Sequence, residues 1–115
     1  MSTLSTHVLD TMHGRPAAGM AVTLYGPAHG SGGEIAAGHT DADGRCPGLF
    51  PAELAAGQYR LAFAVADYFR AAGVALPDPP FLDVVSIAFG VAAGGGHYHV
   101  PLLVSPFAYS TYRGS

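Results

Sequence analysis

HYHVPLLV, at residues 97–104, is the stretch that decides the fold. Side chains two positions apart in a β-strand lie on the same face. This spacing puts four apolar side chains on one face, namely Tyr98, Val100, Leu102 and Val104. The pattern therefore predicts a strand with its inner face in the core and with His97 and His99 together on the opposite face.

The same alternation recurs in other apolar segments. In residues 5–9 it turns Thr6 and Val8 inward and His7 and Leu9 outward. Further strands are predicted where apolar residues alternate, within residues 21–25, 59–65 and 85–89. Turns and loops rich in Gly and Pro separate them, at residues 13–16, 27–33, 41–44, 77–80 and 94–96.

One short helix is expected in this pattern of strands. Asp67 is a suitable N-cap for a helix that runs to residue 72 and ends at Gly73. Short strands with a single minor helix predict an all-β fold, an antiparallel β-sandwich of two sheets. With 115 residues, the chain is expected to form one domain over residues 1–115.

Composition excludes several classes of partner. Five Lys and Arg residues and a net charge of -3 argue against nucleic acid. We expect no secretory signal at the amino terminus, no membrane span and no peroxisomal ending. The single cysteine, Cys46, suits a reducing compartment, so we expect a cytoplasmic protein. Only 11% of the residues are charged, which favours an oligomer that covers part of the surface.

The outward histidines are the candidate chemical groups. His7, His97 and His99 have no packing reason to face outward, and an imidazole there can act as base, acid or metal ligand. Zinc is one interpretation, although no carboxylate or cysteine has matching ligand spacing and Arg45 would repel a cation. Solvated surface histidines are another. Cys46 is either a thiolate activated by Arg45 or, if it points inward, a small apolar core residue.

The carboxyl end is unusually specific for a chain terminus. It places Tyr112, Arg113 and Gly114 immediately before Ser115 and the terminal carboxylate. Most chain ends fray, but an end of this composition indicates a terminus that docks and takes part in function.

Together these residues resemble the 5-hydroxyisourate hydrolases, the enzymatic relatives of transthyretin. The resemblance rests on residues 4–10, on residues 43–45, on the strand at 97–103 and on the terminal Tyr112, Arg113, Gly114 and Ser115. It implies a transthyretin-like sandwich that forms a homotetramer with active sites where subunits meet.

The resemblance also implies the reaction. A small-molecule substrate, 5-hydroxyisourate, would be hydrolysed to 2-oxo-4-hydroxy-4-carboxy-5-ureidoimidazoline during urate degradation, without metal or cofactor. By the pattern of the family, the catalytic residues would be His7, Arg45, His99 and Ser115. The substrate-binding residues would be Tyr112, Arg113, Gly114 and His97.

Three other functions compete with this one. A transthyretin-like carrier without catalysis would line its channel with aliphatic and small polar residues, unlike His7, Arg45 and His99. A metal-dependent hydrolase would use the three histidines to hold zinc. In a plain interaction domain, other polar residues could replace the outward histidines.

Overall fold

The computed structural model describes residues 2–28 and 32–114. In that part of the chain, eight strands and one helix follow in the order β1 (Ser2–Asp10), β2 (Arg15–Pro16), β3 (Ala21–Ala28), β4 (Glu34–His39), β5 (Gly57–Ala64), α1 (Val65–Ala71), β6 (Val84–Val91), β7 (Gly96–Val104) and β8 (Tyr109–Thr111). Ser115 lies outside the described residues, as do residues 29–31 of the predicted loop. No helix in the described part has the length and apolar character needed to cross a bilayer.

The strands form two four-stranded sheets. The first sheet has the order β2-β1-β7-β8, and the second has the order β4-β3-β5-β6. Side chains from both sheets and from α1 join in one core, whose largest wholly buried members are Phe63, Phe69, Met20, Leu24, Leu61 and Leu102. The predicted sandwich of two sheets with a short helix is confirmed.

One strand pair departs from the predicted antiparallel arrangement. β1 and β7 run parallel over their whole length, from the pair Ser2 and Gly96 to the pair Asp10 and Val104. The other strand pairs in the described part are antiparallel. Alternation reports which face a side chain takes but not the direction of the neighbouring strand, so the sequence pattern could not reveal this pair.

Three short strands fall where no strand was predicted. β2 lies in the predicted turn at residues 13–16, and β8 follows the last predicted strand. β4 pairs with β3 alone, at the edge of the second sheet, and no residue in it is fully buried. Edge strands of this kind lack a clear inner face, so their apolar alternation is weak.

The helix begins before the position predicted for its cap. α1 starts at Val65, directly after β5, so Asp67 lies in the first turn and its side chain caps nothing. The backbone carbonyl of Asp83 instead accepts hydrogen bonds from the amides of Val65 (3.1 Å) and Ala66 (3.0 Å). This long-range cap replaces the local one that the sequence suggested. Gly73 follows the helix with φ +86°, as expected for a glycine that ends it.

Candidate active site

β1 and β7 together build a polar outer face on the first sheet. The parallel register sets Thr3 beside His97 and Ser5 beside His99. The residues between them point into the core, where Leu4, Thr6, Val8, Tyr98, Val100 and Leu102 are buried. His7, His97 and His99 therefore share one surface, which we call the imidazole face.

A tight turn brings Arg45 to this face. The carboxylate of Asp41 accepts hydrogen bonds from the amides of Asp43 (2.9 Å) and Arg45 (3.0 Å), which closes the predicted turn at residues 41–44. The carbonyl of Gly44 then accepts a hydrogen bond from Val8 (2.8 Å), and Arg45 forms a single antiparallel bridge with His7. The exposed Arg45 is thus anchored at the edge of β1, next to His7.

Two hydroxyl groups of β1 hold the imidazoles of β7. Thr3 Oγ1 lies 2.6 Å from His97 Nδ1, and Ser5 Oγ lies 2.8 Å from His97 Nε2. Ser5 Oγ also lies 2.7 Å from His99 Nδ1. These bonds fix both rings and leave His99 Nε2 as the nitrogen that is not bound to Ser5.

The surroundings of His99 disfavour its charged form. Burial lowers the pKa of His99, and the charges of Arg45, His7 and His97 lower it further. A charge is screened less in a partly buried site than in bulk water, so these neighbours act on His99 effectively. A neutral imidazole beside a guanidinium is suited to removing a proton from water.

The carboxyl end of the chain docks against β7, as its composition indicated. β8 pairs with β7, and Thr111 Oγ1 donates a 2.7 Å hydrogen bond to the carbonyl of Pro101. Gly114 then bridges His99, donating from its amide to the His99 carbonyl at 2.7 Å. The docked end therefore reaches the imidazole face, and Ser115 follows beyond the described residues.

Tyr112 and Arg113 take a different direction from Gly114. The guanidinium of Arg113 lies 4.1 Å from the ring centre of the inward-facing Tyr98 and donates to the carbonyl of His97 at 3.3 Å. Both side chains line a cavity of about 460 Å³ with residues of β6 and β7, and neither His7 nor His99 borders it. Within one protomer, the structure brings together His7, Arg45, His97, His99 and Gly114, whereas the Tyr112 and Arg113 side chains line this separate cavity and Arg113 reaches only the backbone of His97.

A small groove adjoins the imidazole face on the side of Arg45. It has a volume of about 230 Å³ and runs between β1 and the segment after the turn, lined by Leu4, Ser5, Thr6, Arg45, Cys46, Pro47, Gly48 and Phe50. Cys46 is buried, and burial with the charge of Asp41 raises the pKa of its thiol to about 11. This thiol matches the apolar interpretation of Cys46 and is unsuited to act as a thiolate nucleophile.

Sequence reasoning missed the roles of Thr3 and Ser5. Both alternate outward with His7, but hydroxyls on an outer face are common, and only the parallel register sets them against His97 and His99. The zinc interpretation gains no geometric support, because residues 2–28 and 32–114 contain no group of three His, Cys, Asp or Glu placed to hold a metal ion.

Known proteins resemble this chain over almost its whole length. Residues 4–114 match the HIUase/Transthyretin family. A protein of Ralstonia nicotianae named 5-hydroxyisourate hydrolase is 57% identical over 117 residues, covering all of both chains. The structure of Klebsiella pneumoniae 5-hydroxyisourate hydrolase superposes with a TM-score of 0.82 at 37% identity, covering 99% of this chain and 100% of that one.

The carrier branch is similar as well. Sea bream transthyretin, solved in complex with thyroxine, superposes with a TM-score of 0.86 at 32% identity. The match covers 96% of this chain and 93% of that one. Sequence match, shared architecture and the identity to the Ralstonia protein agree: the chain belongs to the HIUase/Transthyretin family.

Proposed function

We propose that the chain hydrolyses 5-hydroxyisourate to 2-oxo-4-hydroxy-4-carboxy-5-ureidoimidazoline, a step of urate degradation. The observation that carries the proposal is the convergence of His7, His99 and Arg45 on the imidazole face, close enough for their charges to lower the pKa of His99. The similarity to relatives named for this activity supplies the substrate.

His99 is the general base in this proposal. Its lowered pKa keeps the imidazole neutral near pH 7, and Ser5 occupies Nδ1. Nε2 is then available to take a proton from water while the water oxygen attacks a ring carbonyl of the substrate.

Arg45 and His7 complete the proposed chemistry. The guanidinium stabilises the oxyanion that forms on the attacked carbonyl, and its paired N–H groups suit the edge of a flat ureide. His7, beside Arg45, donates a proton to the departing ring nitrogen as the carbon–nitrogen bond breaks. The product carboxylic acid ionises, and His7 regains its proton from solvent. All of these steps use side chains of the protein alone.

The remaining residues are assigned to substrate binding. Gly114 forms a bridge with His99, and the hydroxyl or carboxylate of Ser115, the next residue in the sequence, would position substrate or water. Tyr112 and Arg113 do not border His7 or His99 in one protomer, so they would contribute through the subunit interface or by holding the docked end. His97 would border the substrate from β7.

A homotetramer with sites between subunits is part of the proposal. One protomer exposes large apolar side chains, with Phe81 70%, Phe107 62% and Tyr112 60% exposed. Burying such side chains in an interface is favourable. Native mass spectrometry at working concentration is expected to give four copies, and a fully active monomer would contradict this part.

The activity is tested with freshly generated 5-hydroxyisourate, whose decay is followed spectroscopically against its spontaneous rate. The wild-type protein is expected to accelerate the decay, and His7→Asn and His99→Asn are each expected to lower kcat at least about 100-fold. His39→Asn is the matched control, because His39 is exposed on the second sheet. Near-wild-type rates in both site variants would exclude the assigned chemistry.

Ligand binding without catalysis is the second candidate, favoured by the similarity to sea bream transthyretin. It predicts no acceleration of 5-hydroxyisourate decay but measurable binding of thyroxine. Isothermal titration with thyroxine separates the two functions. The charged and imidazole groups of the outer face favour the hydrolase.

We also propose a cytoplasmic location. Cys46, the single cysteine of the chain, is a buried thiol without a disulfide partner. Reducing compartments keep such thiols intact. Fractionation of the source cells is expected to place the protein with cytoplasmic markers.

A further inference from the structure

Four side chains on the imidazole face form one continuous row. From the solvent side inward they are Thr3, His97, Ser5 and His99, and each neighbouring pair is within hydrogen-bond distance. The three links measure 2.6, 2.8 and 2.7 Å. Hydroxyl and imidazole alternate along the row, which starts at exposed Thr3 and His97 and ends at partly buried His99.

Counting hydrogens gives two neutral arrangements in which Ser5 donates to one imidazole and accepts from the other, as a proton transfer through its hydroxyl requires. Each neutral imidazole carries one N–H and each hydroxyl one O–H, so every link needs one donor and one acceptor. In the first arrangement, donation runs outward from His99 Nδ1 to Ser5, from Ser5 to His97 Nε2, and from His97 Nδ1 to Thr3. His99 Nε2 then holds a lone pair. In the second arrangement every link is reversed, and His99 Nε2 carries a proton.

We propose that this row, Thr3–His97–Ser5–His99, is a proton exit that carries the proton removed from the attacking water out to solvent. This inference rests on the proposed function, because it assumes that His99 Nε2 takes that proton. It makes Ser5 and His97 positioning residues for proton transfer and gives His97 a role in addition to substrate binding.

The transfer balances at every step. His99 Nε2 gains a proton from water, and His99 Nδ1 gives its proton to Ser5 Oγ. Ser5 passes its own hydroxyl proton to His97 Nε2, and His97 Nδ1 gives its proton to Thr3 Oγ1. Thr3 then releases its former hydroxyl proton to solvent. The row moves from the first arrangement to the second. After product release, water in the emptied site takes the proton from His99 Nε2 and Thr3 takes a proton from solvent, so the reverse sequence of transfers restores the first arrangement.

The surroundings favour moving the proton away from His99. Burial and the neighbouring Arg45 disfavour an imidazolium there, whereas His97 is exposed to solvent. The His97 backbone is held from the other side by Arg113, which donates to its carbonyl at 3.3 Å. The row is therefore fixed at both β1 and β7 and can transfer a proton without reorganising.

Ser5→Ala and His97→Gln test the row. Ser5→Ala removes two of the three links, since alanine has no hydroxyl, and His97→Gln interrupts the row because an amide cannot accept a proton at one atom while releasing one from another. Each is expected to lower kcat at least about tenfold, because positioned proton transfer is lost. KM is expected to stay nearly unchanged in Ser5→Ala, whose side chain is not assigned to substrate binding. The double variant is expected to be no slower than the slower single variant, since the row is already broken.

Two control variants accompany them. Ser5→Thr retains the hydroxyl and is expected to retain most of kcat. Ser86→Ala removes an exposed hydroxyl from β6, in the second sheet, and is expected to have wild-type kcat. Thermal melting of every variant reports whether it folds.

Nitrogen NMR of labelled histidine provides a readout that does not depend on turnover. The row requires His97 and His99 to carry their protons on the same ring atom, both on Nδ1 or both on Nε2. Ser5→Ala is expected to abolish that correlation. Opposite tautomers in the neutral wild-type protein would overturn the proposal.

The kinetic outcomes distinguish a failure of the proton exit from a failure of the proposed hydrolase activity. An active wild-type protein with unchanged kcat in His97→Gln overturns the proton exit and leaves the hydrolase standing, with Ser5 only orienting His99. A wild-type protein that does not accelerate 5-hydroxyisourate decay overturns the proposed function and this inference together.

Discussion

Gly114 lies directly against the imidazole of His99. Its amide donates to the His99 carbonyl at 2.7 Å, and a β-carbon built on Gly114 would stand 2.5 Å from His99 Cδ2 and 3.1 Å from its Cβ. Carbon atoms that are not bonded to each other prefer separations of about 3.5 to 4.0 Å. The glycine therefore permits the docked end of the chain to pass the ring, which would otherwise have to rotate away from Ser5.

Gly114→Ala is accordingly expected to lower kcat at least about tenfold, because misplacing a positioned base by a fraction of an ångström is costly. The melting temperature should change little, since Gly114 adds nothing to the core. The matched control is Gly33→Ala, where a β-carbon meets nothing within 4 Å. Equal kcat in both variants would show that the His99 ring tolerates displacement.

The activity is expected to fall on the acid side as His99 gains a proton. Since the pKa of His99 is lowered, the base remains neutral to a lower pH than an ordinary histidine, and kcat falls only as pH drops through that lowered pKa. Arg45→Gln removes one of the charges responsible, so the acid limb is expected to shift to higher pH. Arg45→Lys keeps the charge and should leave the limb in place.

An NMR titration of His99 in the same variants measures this shift without turnover. The pKa is expected to rise in Arg45→Gln but to remain below the ordinary value, because burial, the largest cause, is unchanged. An identical titration midpoint in the wild-type protein and in Arg45→Gln would mean that Arg45 and His99 do not interact.

Gly44 directly precedes Arg45 and positions it, and Gly48 is a control with nearly the same backbone conformation. Both have φ in the left-handed region, +77° and +74°, so alanine costs about 1–2 kcal/mol at either position. Only at Gly44 would a β-carbon also collide, with the Val8 carbonyl oxygen and Pro16. Gly44→Ala is therefore expected to be less stable to urea than Gly48→Ala and to lose kcat as Arg45 moves away from His7.

Measuring unfolding and kcat on both variants separates strain from position. If Gly48→Ala lost as much kcat as Gly44→Ala, the loss of kcat would come from strain anywhere in residues 44–48 rather than from the placement of Arg45.

How far the sequence predicts this site depends on the kind of information each residue needs. Alternation in residues 5–9 and 97–104 was enough to put His7 and His99 on outer faces, because that property is local. The partnership of Ser5 with His99 depends on the parallel register between residues 94 positions apart, which no local pattern encodes. The prediction that Asp67 caps α1 failed for the same reason, because the group that accepts hydrogen bonds at the start of the helix is the distant carbonyl of Asp83.

A buried network outside the site is expected to govern acid stability. Asp10 is wholly buried at the end of β1 and accepts hydrogen bonds from the amide and ring of His13 at 2.9 and 2.6 Å, and from the hydroxyl of Tyr68 at 2.7 Å. Burial alone would raise the pKa of Asp10, but these hydrogen bonds outweigh it and lower the pKa. Asp10 thus connects β1 with α1 as a carboxylate.

Tyr68→Phe removes one hydrogen bond to this charged acceptor and is expected to cost about 1–3 kcal/mol of the free energy of unfolding at neutral pH. A carboxyl group whose pKa is lower in the folded state than in the unfolded state stabilises the fold at pH values above its unfolded-state pKa. That stabilisation is lost as pH falls through its folded-state pKa. Because the Asp10 pKa is lowered less in Tyr68→Phe, acid unfolding of this variant should begin at higher pH than in the wild-type protein.

Urea titrations across the acid range test this prediction. Tyr25→Phe is the control, because the ring at position 25 can stay 4.1 Å from the Arg60 guanidinium without its hydroxyl. Coincident pH profiles for wild type and Tyr68→Phe would show that the Tyr68 hydroxyl does not stabilise the Asp10 carboxylate.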